Sequence, residues 1–244
     1  MKKYKLFAMG LAMAGALSFT SCADDYLDTA PTDAVSNVTI GQNMESLYLG
    51  LNGIHRQMIS QESGYQCMGG LGGMMYIMDI MADDITWLTN TWMKAAYLGW
   101  QCNTNDQNGY NTVFWRLYYQ WIMNANGLLE VLDGTDVSTL SGGDKALYEQ
   151  IRGEALVFRA FSHFQAVQTY ADAYKAGGNN SQPGVPYRTV ENKVDQELAR
   201  SSVEETYAKI NADLAEACSL LEGKNITELN HWSAKSAYAV RARV

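Results

Sequence analysis

Apolar residues recur at every third or fourth position along most of the chain, and this spacing predicts amphipathic α-helices. The first helix is indicated by Met44, Leu47, Leu51, Ile54 and Met58. The second is indicated by Val113, Leu117, Trp121, Leu128 and Leu132. The third is indicated by Leu147, Ile151, Ala155, Phe158 and Phe161. This third helix should run to about Tyr174, before a Gly-Gly-Asn-Asn segment at 177–180 that stops it.

Two further helices are predicted towards the carboxyl end. Ser202 followed by Glu205 is a capping box, in which a hydroxyl and a carboxylate bind the free backbone amides at a helix start, and it begins the fourth helix. The fifth begins near Trp232. Only three prolines occur, and no segment shows sustained alternation of apolar and polar residues, so a large sheet is not predicted. We therefore predict an all-α fold, a tetratricopeptide-like stack of helical repeats with long irregular loops.

The amino terminus has the pattern of a secretory lipoprotein signal. Lys2, Lys3 and Lys5 precede an apolar stretch at 6–17, and Phe-Thr-Ser then leads directly to Cys22. The apolar stretch is shorter than the about 20 residues that a helix needs to span a bilayer. Cys22 is therefore the predicted lipid attachment site. An ordinary cleaved signal that happens to end at a cysteine is the alternative.

This pattern divides the chain into a signal peptide at 1–21, a lipidated tether at 22–41 and a helical region at 42–244. The acids at 24 and 25 resemble the tag that sends some Gram-negative lipoproteins to the cell surface. The alternative is a flexible, solvent-exposed leader without a targeting role. The formal charge of −8 becomes −11 without the three signal lysines, which makes nucleic acid a poor partner. No second stretch of 18 apolar residues exists, so membrane contact is predicted only through the lipid anchor.

The third predicted helix carries a recognisable signature. The RGEA and FRAF motifs within 152–164 resemble the signature helix of the SusD/RagB family, the surface lipoproteins of starch-utilisation and related nutrient-uptake systems. The PGVPY segment at 183–187 resembles the loop after that helix, and SVEETY at 202–207 resembles the next helix. With Cys22 and the helix over 115–126, the resemblance covers nearly the whole mature chain.

The resemblance implies a non-enzymatic lipoprotein of the outer membrane that faces outward, without a cofactor. It would bind oligosaccharide and deliver it to a TonB-dependent, SusC-like transporter. The alternatives are a helical module that only docks to the transporter, a peptide-binding uptake lipoprotein and a lipid-anchored hydrolase. The signature residues themselves are interpreted as structural: Phe158, Phe161 and Phe164 supply apolar area. Glu154 and Arg159 should find partners on other helices or in solvent.

Candidate ligand residues lie in the predicted irregular region over residues 62–110. An indole ring stacks on the apolar C–H face of a sugar, and amides and carboxylates bind its hydroxyls. The candidates are Asp83, Asp84, Trp87, Asn90, Trp92 and Trp100. Each tryptophan could instead be a core residue, because large aromatic side chains are usually buried. The family resemblance supports the region as a whole, without a motif that matches residue by residue.

Neither a metal site nor a catalytic site is predicted. His55, His163 and His231 lie far apart in sequence, with no ligand spacing around them, and His163 is expected to pack on the signature helix. The adjacent side chains of Asp83 and Asp84 should diverge, whereas a glycosidase needs two carboxyl groups that face one bond. No nucleophile with a neighbouring base stands out elsewhere.

The glycine run at 69–73 lacks the spacing of a dinucleotide-binding turn and is interpreted as a flexible loop. After Cys22, three cysteines remain, so at most one disulfide can form within the chain. Cys67 and Cys102 are the pair that would enclose the glycine-rich region, and whether they pair is left open. Cys218 would then remain a free thiol.

The last predicted helix places Trp232, Ala239, Val240 and Val244 on an apolar stripe and meets no glycine, cap or partner helix after it. Members of the family that the chain resembles continue well past this point. We therefore expect the 244 residues to be the amino-terminal part of a longer protein. Such a piece should be poorly soluble with weak glycan affinity, and extension should restore both properties.

Overall fold

A computed structural model describes residues 43–61, 69–82, 109–193 and 195–244. Within these residues the regular structure is helical, and the β-type pairing consists of two isolated bridges. The helices are α1 (Met44–Gln57), α2 (Gly70–Met81), α3 (Gly109–Asp133), α4 (Gly142–Tyr170), α5 (Val203–Leu221) and α6 (Ala234–Arg243), with a 3-10 turn at Val137–Thr139. The predicted all-α, repeat-like class is confirmed. None of the described helices is both long enough and apolar enough to cross a membrane.

Helix α4 is the centre of the stack. It packs against α1, α3 and α5, and α6 packs against α5. The aromatic side chains at these contacts are fully buried, which stabilises the fold by about 1.5–3 kcal/mol for each large apolar side chain. They are Phe114, Tyr118, Trp121, Phe158 and Phe164. Phe161 is only partly buried and lies against the ring of Trp232. The packing role predicted for the signature phenylalanines is therefore confirmed.

The close approach of α4 and α5 requires a glycine in the signature motif. A Cβ atom built on Gly153 would lie 2.8 Å from Cγ of Leu221, closer than real side chains come. The second helix of this pair begins at the predicted capping box, where the Glu205 amide donates to Oγ of Ser202 and the Ser202 amide donates to the Glu205 carboxylate.

Helix α4 ends at Tyr170, four residues before the predicted end at Tyr174. Ala171 is already extended, with φ −129° and ψ 165°. The Tyr170 carbonyl accepts a hydrogen bond from Nη2 of Arg200 at 2.8 Å. A cation at this end satisfies a free carbonyl and interacts favourably with the helix dipole. The chain brings that arginine from 30 residues away, which the local sequence pattern could not indicate.

The glycine run at 69–73 is not a loop, and this prediction was wrong. Gly70 begins α2 with a φ of +52°, and a Cβ atom at this position would lie 1.9 Å from the Met58 carbonyl oxygen. The run therefore allows the chain to turn closely against the end of α1, where the Leu71 amide donates to the Met58 carbonyl at 2.8 Å. Met74, Ile77 and Ile80 are then buried on one side of the helix. Their burial outweighs the low helix propensity of glycine.

The fifth predicted helix corresponds to α6, which begins at Ala234 after a capping arrangement between Ser233 and Ser236. Trp232 precedes the helix and packs beside Phe158 and Phe161. Ala239, predicted on the apolar stripe, is exposed, and Ala237 is buried instead. The stripe prediction was wrong at that position because Trp232 lies before the helix, and the side of α6 that packs against the core is formed by Ala237, Val240 and Val244.

Candidate functional site

The ligand candidates and the lipid attachment site predicted from the sequence fall outside the described residues. They are Cys22, Asp83, Asp84, Trp87, Asn90, Trp92 and Trp100. The same holds for Cys67 and Cys102, whose pairing stays open, whereas Cys218 is a buried free thiol. The polar chemistry of the described residues is concentrated in two buried clusters on α4. We call them the arginine cluster, built around Arg159 and Asp213, and the histidine cluster, formed by His55, Glu154 and His231.

The arginine cluster joins α3, α4, α5 and the PGVPY segment. Arg159 donates from Nε and Nη2 to the two carboxylate oxygens of Asp213, each at 2.7 Å, in the paired geometry that makes arginine–carboxylate contacts strong. Its Nη1 donates to Oδ1 of Asn126 at 3.2 Å. Tyr187 donates its phenol hydrogen to Asp213 at 2.6 Å. Burial raises the pKa of Tyr187, and the Asp213 charge raises it further, so the phenol stays protonated and remains a donor.

His163 also contacts the PGVPY segment and the residue that follows it. The Arg188 amide donates to Nε2 of His163 at 3.1 Å, which leaves Nδ1 to donate to the Arg159 carbonyl at 2.8 Å. Its ring stacks on Tyr187 with centroids 3.8 Å apart. Burial lowers the pKa of His163 from 6.5 to about 3, so the imidazole is neutral at physiological pH. The prediction that His163 packs on the signature helix is confirmed.

A small cavity of about 230 Å³ lies beside the arginine cluster. Its walls are formed by Leu129, Asp133, Arg152, Leu156, Arg159, Thr189, Val190 and Glu191. Both guanidinium groups in the wall are already paired with carboxylates: Arg152 with Asp133 and Glu216, and Arg159 with Asp213. Because these pairs neutralise the two cations, the cavity does not have the character of an anion-binding site.

The histidine cluster brings together residues from three parts of the chain. His55 lies on α1, Glu154 on α4, and His231 in the segment before α6. Oε2 of Glu154 lies 2.8 Å from Nε2 of His55 and 2.9 Å from Nδ1 of His231. The two imidazole centroids are 4.3 Å apart. Glu154 is fully buried, and the side chains of the two histidines are at most 6% exposed.

Neighbouring groups complete the hydrogen bonding of the Glu154 carboxylate. Gln150 donates its side-chain amide to Oε1 at 2.9 Å, and the Trp232 backbone amide donates to Oε2 at 3.0 Å. The phenol oxygen of Tyr48 lies 3.4 Å from Nε2 of His231, and the two rings are stacked. Such a shell of partners holds the carboxylate and the His231 ring in fixed orientations.

Glu154 and Arg159 both have partners on other helices, which confirms that prediction. The histidines were wrongly treated as isolated, because His55 and Glu154 are 99 residues apart and Glu154 and His231 are 77 apart. The signature motif does indicate that Glu154 has polar partners. It lies between Gly153 and Ala155 on the buried side of a helix, and a buried carboxylate needs hydrogen-bond donors. The sequence does not indicate which residues supply them.

A protein-family model, SusD-like and described as starch-binding associating with the outer membrane, matches residues 25–244. The chain therefore belongs to this SusD-like family, as its signature helix indicates. The fold agrees with this assignment. No curated protein sequence matches the chain.

Solved structures of SusD-like proteins share the helical fold. A SusD-like carbohydrate-binding protein of Bacteroides vulgatus is 21% identical, with a TM-score of 0.69 over 82% of this chain and 40% of its own. A SusD superfamily protein of Bacteroides thetaiotaomicron is 22% identical, with a TM-score of 0.63 over 82% of this chain and 42% of its own. A laminarin-binding SusD-like protein is 20% identical, with a TM-score of 0.61 over 82% of this chain and 39% of its own. The chain thus spans about two fifths of the length of these structures.

Proposed function

We propose that this protein is a non-enzymatic, lipid-anchored component of the outer membrane that binds oligosaccharide at the cell surface and delivers it to a TonB-dependent, SusC-like transporter. The observation that carries the proposal is the family match over 25–244, whose description joins starch binding with outer-membrane association. The carbohydrate-binding and laminarin-binding proteins with the same fold support a glycan as the ligand class.

The helical stack would serve as a rigid support for ligand residues. The arginine cluster and His163 tie the PGVPY segment to three helices, and buried polar networks that are fully paired favour one arrangement of the chain. The predicted ligand residues lie in the sequence between the end of α2 and the start of α3. Sites supported by rigid elements hold a ligand with less loss of entropy on binding.

Within that segment, Trp87, Trp92 and Trp100 would stack on sugar rings, while Asp83, Asp84 and Asn90 would bind hydroxyl groups. Stacking depends on the apolar face of the sugar, and the amides and carboxylates select the pattern of hydroxyls around it. A peptide cargo would have a different requirement, since an extended peptide needs backbone hydrogen bonds along its length. We therefore propose a glycan rather than a peptide as the ligand.

Attachment would occur through the Cys22 thiol, and Cys22 would be the first residue of the mature chain once residues 1–21 are removed. Lipid chains contribute about 0.8 kcal/mol for each buried methylene, so two acyl chains hold a protein at a membrane. Cys22→Ala should abolish labelling by a fatty-acid analogue and release the protein from the membrane fraction. Cys218→Ala is the matched control, because that buried cysteine lies far from the signal in the sequence and its replacement should leave labelling unchanged. Retention of the Cys22→Ala protein in the membrane would contradict the anchor.

Ligand binding is tested with the lipid-free protein carrying Cys22→Ala, in parallel with the longest product of its gene. Each form is titrated with a panel of soluble polysaccharides and with peptides, and the glycan is analysed for chain length afterwards. We expect saturable binding of at least one glycan without shortening of its chains. Shortened chains would indicate a hydrolase, and peptide binding would indicate a different cargo. Binding of the transporter without any ligand would favour a docking module.

A further inference from the structure

The histidine cluster has a feature that helix packing does not require. Three potential metal-ligating atoms converge: Nε2 of His55, Nδ1 of His231 and a carboxylate oxygen of Glu154 all lie within 4.8 Å of one another. Both imidazole nitrogens point at the same oxygen, Oε2 of Glu154. Convergence of two imidazoles and a carboxylate from separate segments is the donor arrangement of a transition-metal site.

The distances allow an ion to enter with small movements. In a tetrahedral zinc site each ligand atom lies about 2.0–2.2 Å from the metal, so neighbouring ligand atoms are about 3.3 Å apart. The two nitrogen–oxygen distances here are 2.8 and 2.9 Å. At these two pairs, outward shifts of a few tenths of an ångström would give the required spacing, and the two nitrogens lie within 4.8 Å of each other. Oε1 of Glu154, 3.0 Å from Nδ1 of His231, or a water molecule would supply the fourth ligand.

Outer partners already orient these ligands. Gln150 and the Trp232 amide hold the Glu154 carboxylate, and Tyr48 contacts the other nitrogen of the His231 ring. When a metal replaces the hydrogen on Nδ1 of His231, that hydrogen moves to Nε2, where the Tyr48 oxygen can accept it. Partners of this kind fix the tautomer and the ring direction of metal-bound histidines.

We propose that His55, Glu154 and His231 bind one divalent transition-metal ion of the zinc class. Two imidazoles and one carboxylate suit zinc better than calcium or magnesium, which prefer sites made of oxygen atoms. The site is closed, because its ligands are buried, and this points to a structural rather than a catalytic ion. The ion would cross-link α1, α4 and the segment that leads into α6.

Such a cross-link would couple metal binding to folding. An ion that binds only the folded chain stabilises it by mass action, in proportion to the logarithm of its concentration over the dissociation constant. The three ligands come from positions 55, 154 and 231, so the ion would link nearly the full span of the described residues. This role does not depend on the glycan, and the site can be tested separately from the proposed function.

The test uses the full chain with Cys22→Ala, stripped with a chelator and titrated with zinc chloride by calorimetry. Cobalt chloride is used in parallel, because its absorption spectrum distinguishes nitrogen and oxygen ligands from cysteine sulfur. The ligand variants are Glu154→Gln and His231→Gln. Glu149→Gln is the matched control, a change of the same kind on the same helix at a partly exposed residue that pairs with Lys224.

We expect the parent chain and Glu149→Gln to bind one equivalent of zinc, with a higher melting temperature and a cobalt spectrum free of sulfur ligation. The affinity should fall by at least about 100-fold in each ligand variant, the upper end of the loss caused by outer partners alone. If Glu154→Gln does not fold, the zinc affinity of His231→Gln and the cobalt spectrum of the parent chain still test whether these residues bind the metal. Absence of zinc binding in the parent, or unchanged zinc affinity in His231→Gln, would show a hydrogen-bonded cluster only.

Discussion

The two buried clusters on α4 balance charge in different ways. In the arginine cluster, the Asp213 carboxylate faces a guanidinium that stays charged at every relevant pH and contacts both of its oxygens. In the histidine cluster, the Glu154 carboxylate faces two imidazole rings, and these three groups are the metal ligands proposed above. Similar burial on one helix thus gives a bidentate ion pair in one place and a convergent set of candidate metal ligands in the other.

The largest effect is expected when the fixed pair is broken. Arg159→Met keeps most of the side-chain volume but leaves Asp213 buried without its cation, and loss of one partner of a buried pair costs about 3–5 kcal/mol. Urea unfolding should show this decrease in the free energy of unfolding. Arg152→Met is the control, because its pairs with Asp133 and Glu216 are partly exposed and are worth about 0–1 kcal/mol. Equal losses in the two variants would contradict the distinction.

The metal-free histidine cluster should tolerate a neutral replacement better. Glu154→Gln removes the charge and replaces one acceptor oxygen with an NH2 donor, but it retains the other oxygen as an acceptor, and the imidazoles can change tautomer to match. We expect a loss of about 1–3 kcal/mol in the presence of chelator, smaller than that for Arg159→Met. The same urea experiment measures it. A loss as large as that of Arg159→Met would show that Glu154 is as fixed a partner as Asp213.

A smaller, pH-dependent effect should come from His163, beside the arginine cluster. Its pKa is 6.5 when unfolded and about 3 when buried, so the unfolded chain binds the additional proton between these values. The contribution of His163 to stability is therefore complete above pH 6.5 and decreases as the pH falls below that value, because the unfolded chain then takes up a proton that the buried imidazole does not bind.

The contribution of His163 is isolated by comparison with His163→Gln, whose amide can still donate and accept hydrogen bonds. Carboxylates titrate in both proteins, so only the difference between their pH profiles reports on the histidine. We expect the profile of the variant to be flatter between pH 6.5 and pH 5. Parallel profiles over that interval would mean that the buried imidazole takes up its proton without unfolding.

The sequence predicts those features that depend on nearby residues. The capping box at Ser202 and Glu205 lies within four positions, and the helical spacing of apolar residues locates α1, α3, α4 and α5. Features that depend on distant residues were missed. Arg200 binds the last carbonyl of α4 from 30 positions away, and α2 forms because burial of its apolar side outweighs the glycine content.

For the candidate sites too, features carried by short motifs could be predicted, whereas features that depend on distant residues could not. Signature motifs and residue types suggest a family and a glycan-binding class, and the family is confirmed. The ligand residues at 83–100 stay a prediction. The histidine cluster needed the three-dimensional arrangement, because no spacing in the sequence joins His55, Glu154 and His231. The sequence motifs therefore identify α4, the helix that carries Glu154 and Arg159, but not His55, His231 and Asp213, which are their partners.

The central claim is that the packing of the helices stabilises the protein, while the segment with Trp87, Trp92 and Trp100 binds glycan. The most direct test measures glycan affinity and melting temperature together in Trp87→Ala, Trp92→Ala, Trp100→Ala and Arg159→Lys, using the glycan found in the polysaccharide panel. At least one tryptophan variant should lose about 1 kcal/mol or more of binding free energy, about fivefold in affinity, with an unchanged melting temperature. Arg159→Lys should melt earlier yet bind normally below its transition. Unfolding of all three tryptophan variants, or loss of binding only in Arg159→Lys, would contradict the claim.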